Sequence, residues 1–84
     1  VFELCIAQKF SKEISKLQKE EIERVSKKLE IAAEQPLVYF EKLEGFNLYK
    51  TRIGKFRVIA SINFQLKKIT CLSVRLRKNV YRKL

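Results

Sequence analysis

GFNLYKTRIGKFRVIASINFQLKKITCLSVRLRKNVYRKL, residues Gly45–Leu84, holds the pattern that decides the fold. Turn residues recur in it at hairpin spacing. Asn47–Ile53 reads as a strand, Gly54-Lys55 as a tight turn and Phe56–Asn63 as a second strand. Phe64–Lys67 is another turn, and Lys68–Arg77 a third strand. Strands punctuated in this way describe an antiparallel meander. The same stretch has eleven Lys and Arg and no Asp or Glu. Residues Val1–Glu44 have eight Lys and Arg against nine Glu, so the net charge of +10 comes from the second half.

The pleat sorts the side chains of the meander into two faces. Tyr49 and Ile53, then Phe56, Val58 and Ile62, then Leu72, Val74 and Leu76 form the expected inner face. Lys50, Arg52, Arg57, Arg75 and Arg77 then share the outer one, with Cys71 and Ser73. A slip of one residue in any strand would exchange the two sets.

The N-terminal half supplies cover for the inner face. Val1–Ala7 alternates apolar residues and reads as a strand, with Phe2, Leu4 and Ile6 on one side. Phe10, Ile14 and Leu17 recur at helical spacing, which predicts a short helix over Gln8–Leu17. Near Gln18 the apolar phase shifts to Ile22, Val25, Leu29 and Ala33, so a second helix runs over Lys19–Glu34. Glu20, Glu21 and Glu23 lie in its first turn, where the helix dipole favours acids. Gln35-Pro36 stops it, and the short link between the helices predicts an αα-hairpin. Leu37–Glu44 reads as a partly ordered connector. The expectation is one domain over residues 1–84: α+β, in the order β-α-α-β-β-β, with a helical hairpin on one face of an antiparallel sheet.

Composition narrows the chemistry. With 84 residues, 46% apolar and 33% charged, the chain can bury one modest core and leaves little room for a deep cleft. Cys5 and Cys71 lie in apolar runs and read as small buried hydrophobes. There is no His and no cysteine pair at ligand spacing, so neither metal nor cofactor is expected. No apolar stretch approaches membrane-spanning length, and the default is a cytoplasmic protein with reduced thiols.

Cations gathered on one sheet face have a plain explanation as solvated surface residues. Placed on neighbouring strands without acids they also repel one another, whereas ordinary surfaces mix both signs. A field of one sign suits a polyanion, and phosphate contacts provide sequence-independent affinity. The same cations could stabilise charge developing on a phosphoryl group during RNA backbone cleavage. Without His, proton transfer falls to Lys, Tyr or water. Lys50, crowded by arginines, is a candidate base because like charges favour a neutral amine. Tyr81 could stack on a base or move a proton.

Three segments carry a family resemblance: Lys42-Leu43-Glu44-Gly45, Leu48–Ile59 and Leu76–Tyr81. They resemble the K-L-x-G, Y-(R/K)-x-R-x-G-x-(Y/F)-R-(V/L) and H-R-x-x-(V/I)-Y patterns of the RelE/ParE toxin superfamily. The middle pattern is the most specific, and the order of elements extends the likeness over essentially the whole chain. Leu76 departs from the pattern, where many members have His. The resemblance implies a type II toxin of the RelE branch, a ribosome-dependent mRNA endonuclease (mRNA interferase) acting on mRNA in the ribosomal A site and inhibiting translation. Its functional positions fall on Lys50, Arg52, Arg57, Arg77 and Tyr81, with Arg75 as the alternative to Arg77. Lys42, Lys55, Lys67, Lys68, Arg75 and Lys78 would contact ribosomal RNA. The implied protein partner is a RelB-like antitoxin, acidic or partly disordered. The alternatives are a ParE-like gyrase inhibitor, which shares the fold without this basic and tyrosine set, and a catalytically weak RNA-binding relative.

Overall fold

The computed structural model describes residues 1–76. The elements are β1 Glu3–Ile6, α1 Gln8–Ile14, α2 Lys19–Glu34, α3 Pro36–Tyr39, β2 Glu41–Lys42, β3 Tyr49–Ile53, β4 Phe56–Asn63 and β5 Lys68–Leu76. The bounds of α2 and β4 are those read from the sequence. α1 ends three residues early at Ile14, and β3 begins two residues late at Tyr49. Two elements inside the expected connector are new. α3 is a single turn opened by Pro36, and β2 has two exposed residues, so neither has a period to read. Arg77, Lys78 and Tyr81 lie outside the described residues.

One five-stranded sheet has the order β1-β5-β4-β3-β2. β2 to β5 pair antiparallel, as a meander requires. The expected all-antiparallel sheet is corrected at one edge, because β1 runs parallel to β5. Parallel neighbours need a crossover connection. Here the helices and the meander lie between β1 and β5 in the chain, which meets that need.

The helices pack on the predicted inner face. Phe10 of α1 and Val25, Leu29, Ala32 and Ala33 of α2 share a buried core with Ile53, Phe56, Val58, Ala60, Ile69, Cys71 and Val74. At α2 the Gln18 backbone N–H donates to the Glu21 carboxylate at 3.0 Å, the reach-back half of a capping box. Glu21 also holds Lys55 at 3.0 Å, joining the start of α2 to the β3–β4 turn. Gly54 in that turn has φ +59°, which suits the first position of a two-residue II′ hairpin.

The sequence-derived alternation fails on β5 at Leu72. The ladder pairs Ile59 with Ser73 but Ala60 with Cys71, so Leu72 is an extra residue, a β-bulge. Before the bulge Ile69 and Cys71 face the helices; after it Val74 does. Cys71, set on the outer face by strand alternation but read from its apolar run as a buried hydrophobe, is therefore fully buried, and Leu72, expected inside, moves to the open face. Leu76, also expected inside, is 37% exposed at the strand end. The bulge keeps apolar residues inward on both sides of a sequence that otherwise changes phase.

Cys5 and Cys71 are both free. Ile6 is the partner of Cys71 and Cys5 that of Thr70, so the pleat directs the two thiols to opposite faces. Burial, with the nearby Cys5, pushes the Cys71 thiol up to about 11.

Candidate nucleic-acid interface

Strand register arranges the open face in rows. Arg52 of β3 lies opposite Arg57 of β4, and Arg57 lies opposite Arg75 of β5. Three guanidinium groups thus form one line across three strands. The next row is Lys50, Ile59 and Ser73. Beyond the bulge, Ser61, Thr70 and Cys5 make a small neutral row. The face therefore grades from strongly cationic to neutral along the strands.

This arrangement results from tight turns between adjacent strands. The two-residue turn at Gly54-Lys55 sets Arg52 against Arg57, and β4–β5 pairing brings Arg75 alongside. Between the rows lies a concavity of about 390 Å³ lined by Lys9, Leu48, Arg57, Ile59, Leu72, Ser73 and Arg75. Ile59 and Leu72 form an apolar floor, with cations from α1, β4 and β5 at its margin. A second concavity of about 320 Å³ is lined by Tyr39, Glu41, Lys50, Thr51 and Arg52.

Acids from the N-terminal half enter this face, which the strand pattern had presented as free of them. Glu41 of β2 stands beside Lys50 in register, with Oε1 3.2 Å from Nζ. Lys50 thus faces a carboxylate as well as the arginines. Glu41 is 74% exposed, so solvent screens the pair heavily.

Glu13 of α1 makes the tighter contact. Its Oε1 accepts from the Val74 backbone N–H at 3.0 Å and the Ser73 hydroxyl at 2.9 Å, and its Oε2 accepts from Arg75 Nε at 3.1 Å. Burial works against its charge. The Val74 N–H, the Ser73 hydroxyl and the Arg75 guanidinium outweigh it and hold the Glu13 carboxyl below the usual carboxylate range. Among the described residues, Arg52 and Arg57 have no carboxylate at ion-pair distance.

The structure brings Lys50, Arg52, Arg57 and Arg75 onto one face. Lys42 is exposed on β2. Lys55 sits on the β3–β4 turn against Glu21, with its ammonium 5.7 Å from the Phe56 ring centre. Lys67 and Lys68 lie at the opposite end of the strands from the arginine row, and Lys67 adopts φ 54° to close the β4–β5 turn. Sequence reasoning missed Lys9, Glu13 and Leu72 as contributors. Lys9 and Glu13 are four apart on one helix, and that spacing could have marked a shared face.

Among the described residues no three His, Cys, Asp or Glu side chains gather to hold a metal ion. No helix there is long and apolar enough to cross a membrane. The chemistry on offer is cationic: guanidinium groups present planar donor pairs matched to phosphate oxygens, and apolar residues beside them offer a surface for a base or sugar.

No family model and no curated protein matches the sequence. Solved structures do match. A chain of the archaeal RelE–RelB complex from Pyrococcus horikoshii is 29% identical with a TM-score of 0.77, over 90% of this chain and 94% of that one. The isolated E. coli RelE toxin is 24% identical with a TM-score of 0.77, over 100% of both chains. A chain of the toxin–antitoxin complex RelBE2 from Mycobacterium tuberculosis reaches a TM-score of 0.82 at 16% identity, over 90% of this chain and 98% of that one. Over nearly its whole length this chain shares the fold of these RelE structures, a likeness that supports the RelE-type toxin superfamily.

Proposed function

We propose that this chain is the toxin of a type II toxin–antitoxin system and acts as a ribosome-dependent endoribonuclease on mRNA. The observation that carries the reading is the row Arg52, Arg57 and Arg75 with Lys50 beside it. Like charges directly opposite on a sheet destabilise it, so a row of three is best explained by an anionic ligand. Likeness to solved RelE toxins, several of them bound to RelB, supports both the class and an antitoxin partner.

In the proposed reaction the 2′-oxygen of one nucleotide attacks the adjacent phosphorus. The new P–O2′ bond forms as the P–O5′ bond breaks, leaving a 2′,3′-cyclic phosphate and a 5′-hydroxyl. Negative charge grows on the non-bridging oxygens, and the arginine row stabilises it. Lys50 or Tyr81 transfers the protons, and Arg77 adds a further positive charge. Lys42, Lys55, Lys67, Lys68 and Lys78 provide docking charge for ribosomal RNA, with affinity that falls as salt rises. The antitoxin neutralises this surface by covering it or by displacing the C-terminal segment.

The test is a translation extract in which the 5′ ends of a reporter mRNA are mapped. In-frame cuts that vanish with Arg57→Ala support the reading. Intact mRNA together with blocked gyrase supercoiling would transfer the protein to the ParE-like branch. Salt-sensitive RNA binding with neither activity would leave a binding protein.

A further inference from the structure

β1 ends at Ile6, and the last backbone contact between its end and β5 is the Ala7 N–H donating to the Cys71 carbonyl at 2.9 Å. Beyond that point β5 continues without a strand on its outer edge, and α1 runs beside it. The edge N–H of Val74 is satisfied by Glu13 Oε1, which takes the place of a neighbouring strand's carbonyl. The other oxygen of the same carboxylate holds Arg75 Nε. One side chain therefore ties the strand backbone and the guanidinium to a common reference.

We infer that Glu13 is a positioning residue for the anion-binding row: it holds the Arg75 guanidinium against the repulsion of Arg57, so that the terminal nitrogens of Arg75 stay available to a phosphate. Three observations carry this. Glu13 is 18% exposed and makes bonds with both of its oxygens, so its own position is defined. Arg75 is 45% exposed and lines the concavity with Arg57, so without a tether the two cations would separate into solvent. Only Nε of Arg75 is engaged by Glu13, which leaves the forked end of the guanidinium for a planar, bidentate contact.

Structural need alone does not account for the geometry. An acceptor for Val74 could be neutral, such as a glutamine. A carboxylate also attracts the cation next to it, and it does so at the end of a row where its charge subtracts from the field that draws the ligand. That cost is reasonable only if placing Arg75 matters more than one unit of charge.

The inference rests on the proposed phosphodiester chemistry, and the experiment separates the two. Glu13→Gln keeps the shape and the acceptor oxygen and removes the charge. Single-turnover cleavage of ribosome-bound mRNA is measured for wild type, Glu13→Gln, Arg75→Ala and the double variant, with RNA affinity and the circular dichroism spectrum recorded for each. The expected result is a loss of about tenfold to a hundredfold in the cleavage rate for Glu13→Gln. RNA affinity should not fall, since the face gains one net positive charge, and the double variant should be no slower than Arg75→Ala alone. A wild-type rate in folded Glu13→Gln, or losses that multiply in the double variant, would overturn it. If the wild-type protein cuts nothing, the functional reading falls while the tether is still tested. Nitrogen-15 NMR should show the Arg75 Nε–H protected from solvent exchange in wild type and exposed in Glu13→Gln. Rapid exchange in both proteins would remove the tether itself.

Discussion

Arg57 stands opposite Arg52 on one neighbouring strand and opposite Arg75 on the other, at the centre of a row of three like charges. The row costs stability, because each pair faces across a ladder at cross-strand distance. Arg57→Ala should therefore leave the unfolding free energy unchanged or raise it, by up to about 1 kcal/mol. RNA affinity should fall, and the slope of log affinity against log salt should shrink by about 0.7 for one lost contact to single-stranded phosphate. Thermal melts with titrations at several salt concentrations check both. A clear loss of stability would mean that Arg57 is structural.

Glu13→Ala removes three hydrogen bonds from one carboxylate and leaves the Val74 N–H without its partner. The expected cost is about 2–3 kcal/mol in denaturant unfolding. The folded carboxyl titrates below its ordinary value of 4.5. Its stabilisation is thus fully present above that value and is lost as pH falls through the lowered one. The acid limb of the stability curve should be steeper in wild type than in Glu13→Ala between pH 4.5 and the lowered value.

Glu41→Gln breaks the Lys50 ion pair at a position that is 74% exposed. Stability should change by less than about 1 kcal/mol, because exposed pairs contribute little. RNA affinity at low salt should rise, since the face gains one net positive charge next to Lys50. Equal affinity at low salt in both proteins would place RNA away from this end of the face.

Cys71 is fully buried with its thiol pushed up to about 11, whereas Cys5 is half-buried. Alkylation at neutral pH should label Cys5 first and reach Cys71 only with unfolding. Cys71→Ser should destabilise by about 1–3 kcal/mol, because it puts a hydroxyl into the apolar core. Mass spectrometry of alkylated peptides, with and without denaturant, distinguishes the sites.

Gly54→Ala tests the hairpin that sets the arginine register. Space is available, since an added Cβ would be 3.6 Å from Arg24 Nη1. The strain comes from φ +59°, and about 1–2 kcal/mol should be lost on heating or in denaturant.

Much of this fold was legible because its elements have clean periods. α2 reads from Ile22, Val25, Leu29 and Ala33, and β4 from Phe56, Val58, Ala60 and Ile62. The common face of Lys50, Arg52 and Arg57 follows from a period of two joined by a tight turn. β2 and α3 were not legible, since elements of two and four residues have no repeat. The bulge at Leu72 was illegible for another reason. It is a choice between two phases of one apolar run, made by what the neighbouring strand and the helices require.

The amino-acid sequence by itself determined α1 and α2, the meander, the separation of apolar and basic faces and the concentration of positive charge in the second half. These properties depend on near neighbours in the chain. Tertiary structure alone decided that β1 joins β5 in parallel, that a bulge turns Leu72 outward, and that Glu13 reaches Arg75 across 62 positions. Those outcomes depend on which distant groups can satisfy an open strand edge and a buried face. No local period encodes them, because the partners meet only when the sheet closes against its helices.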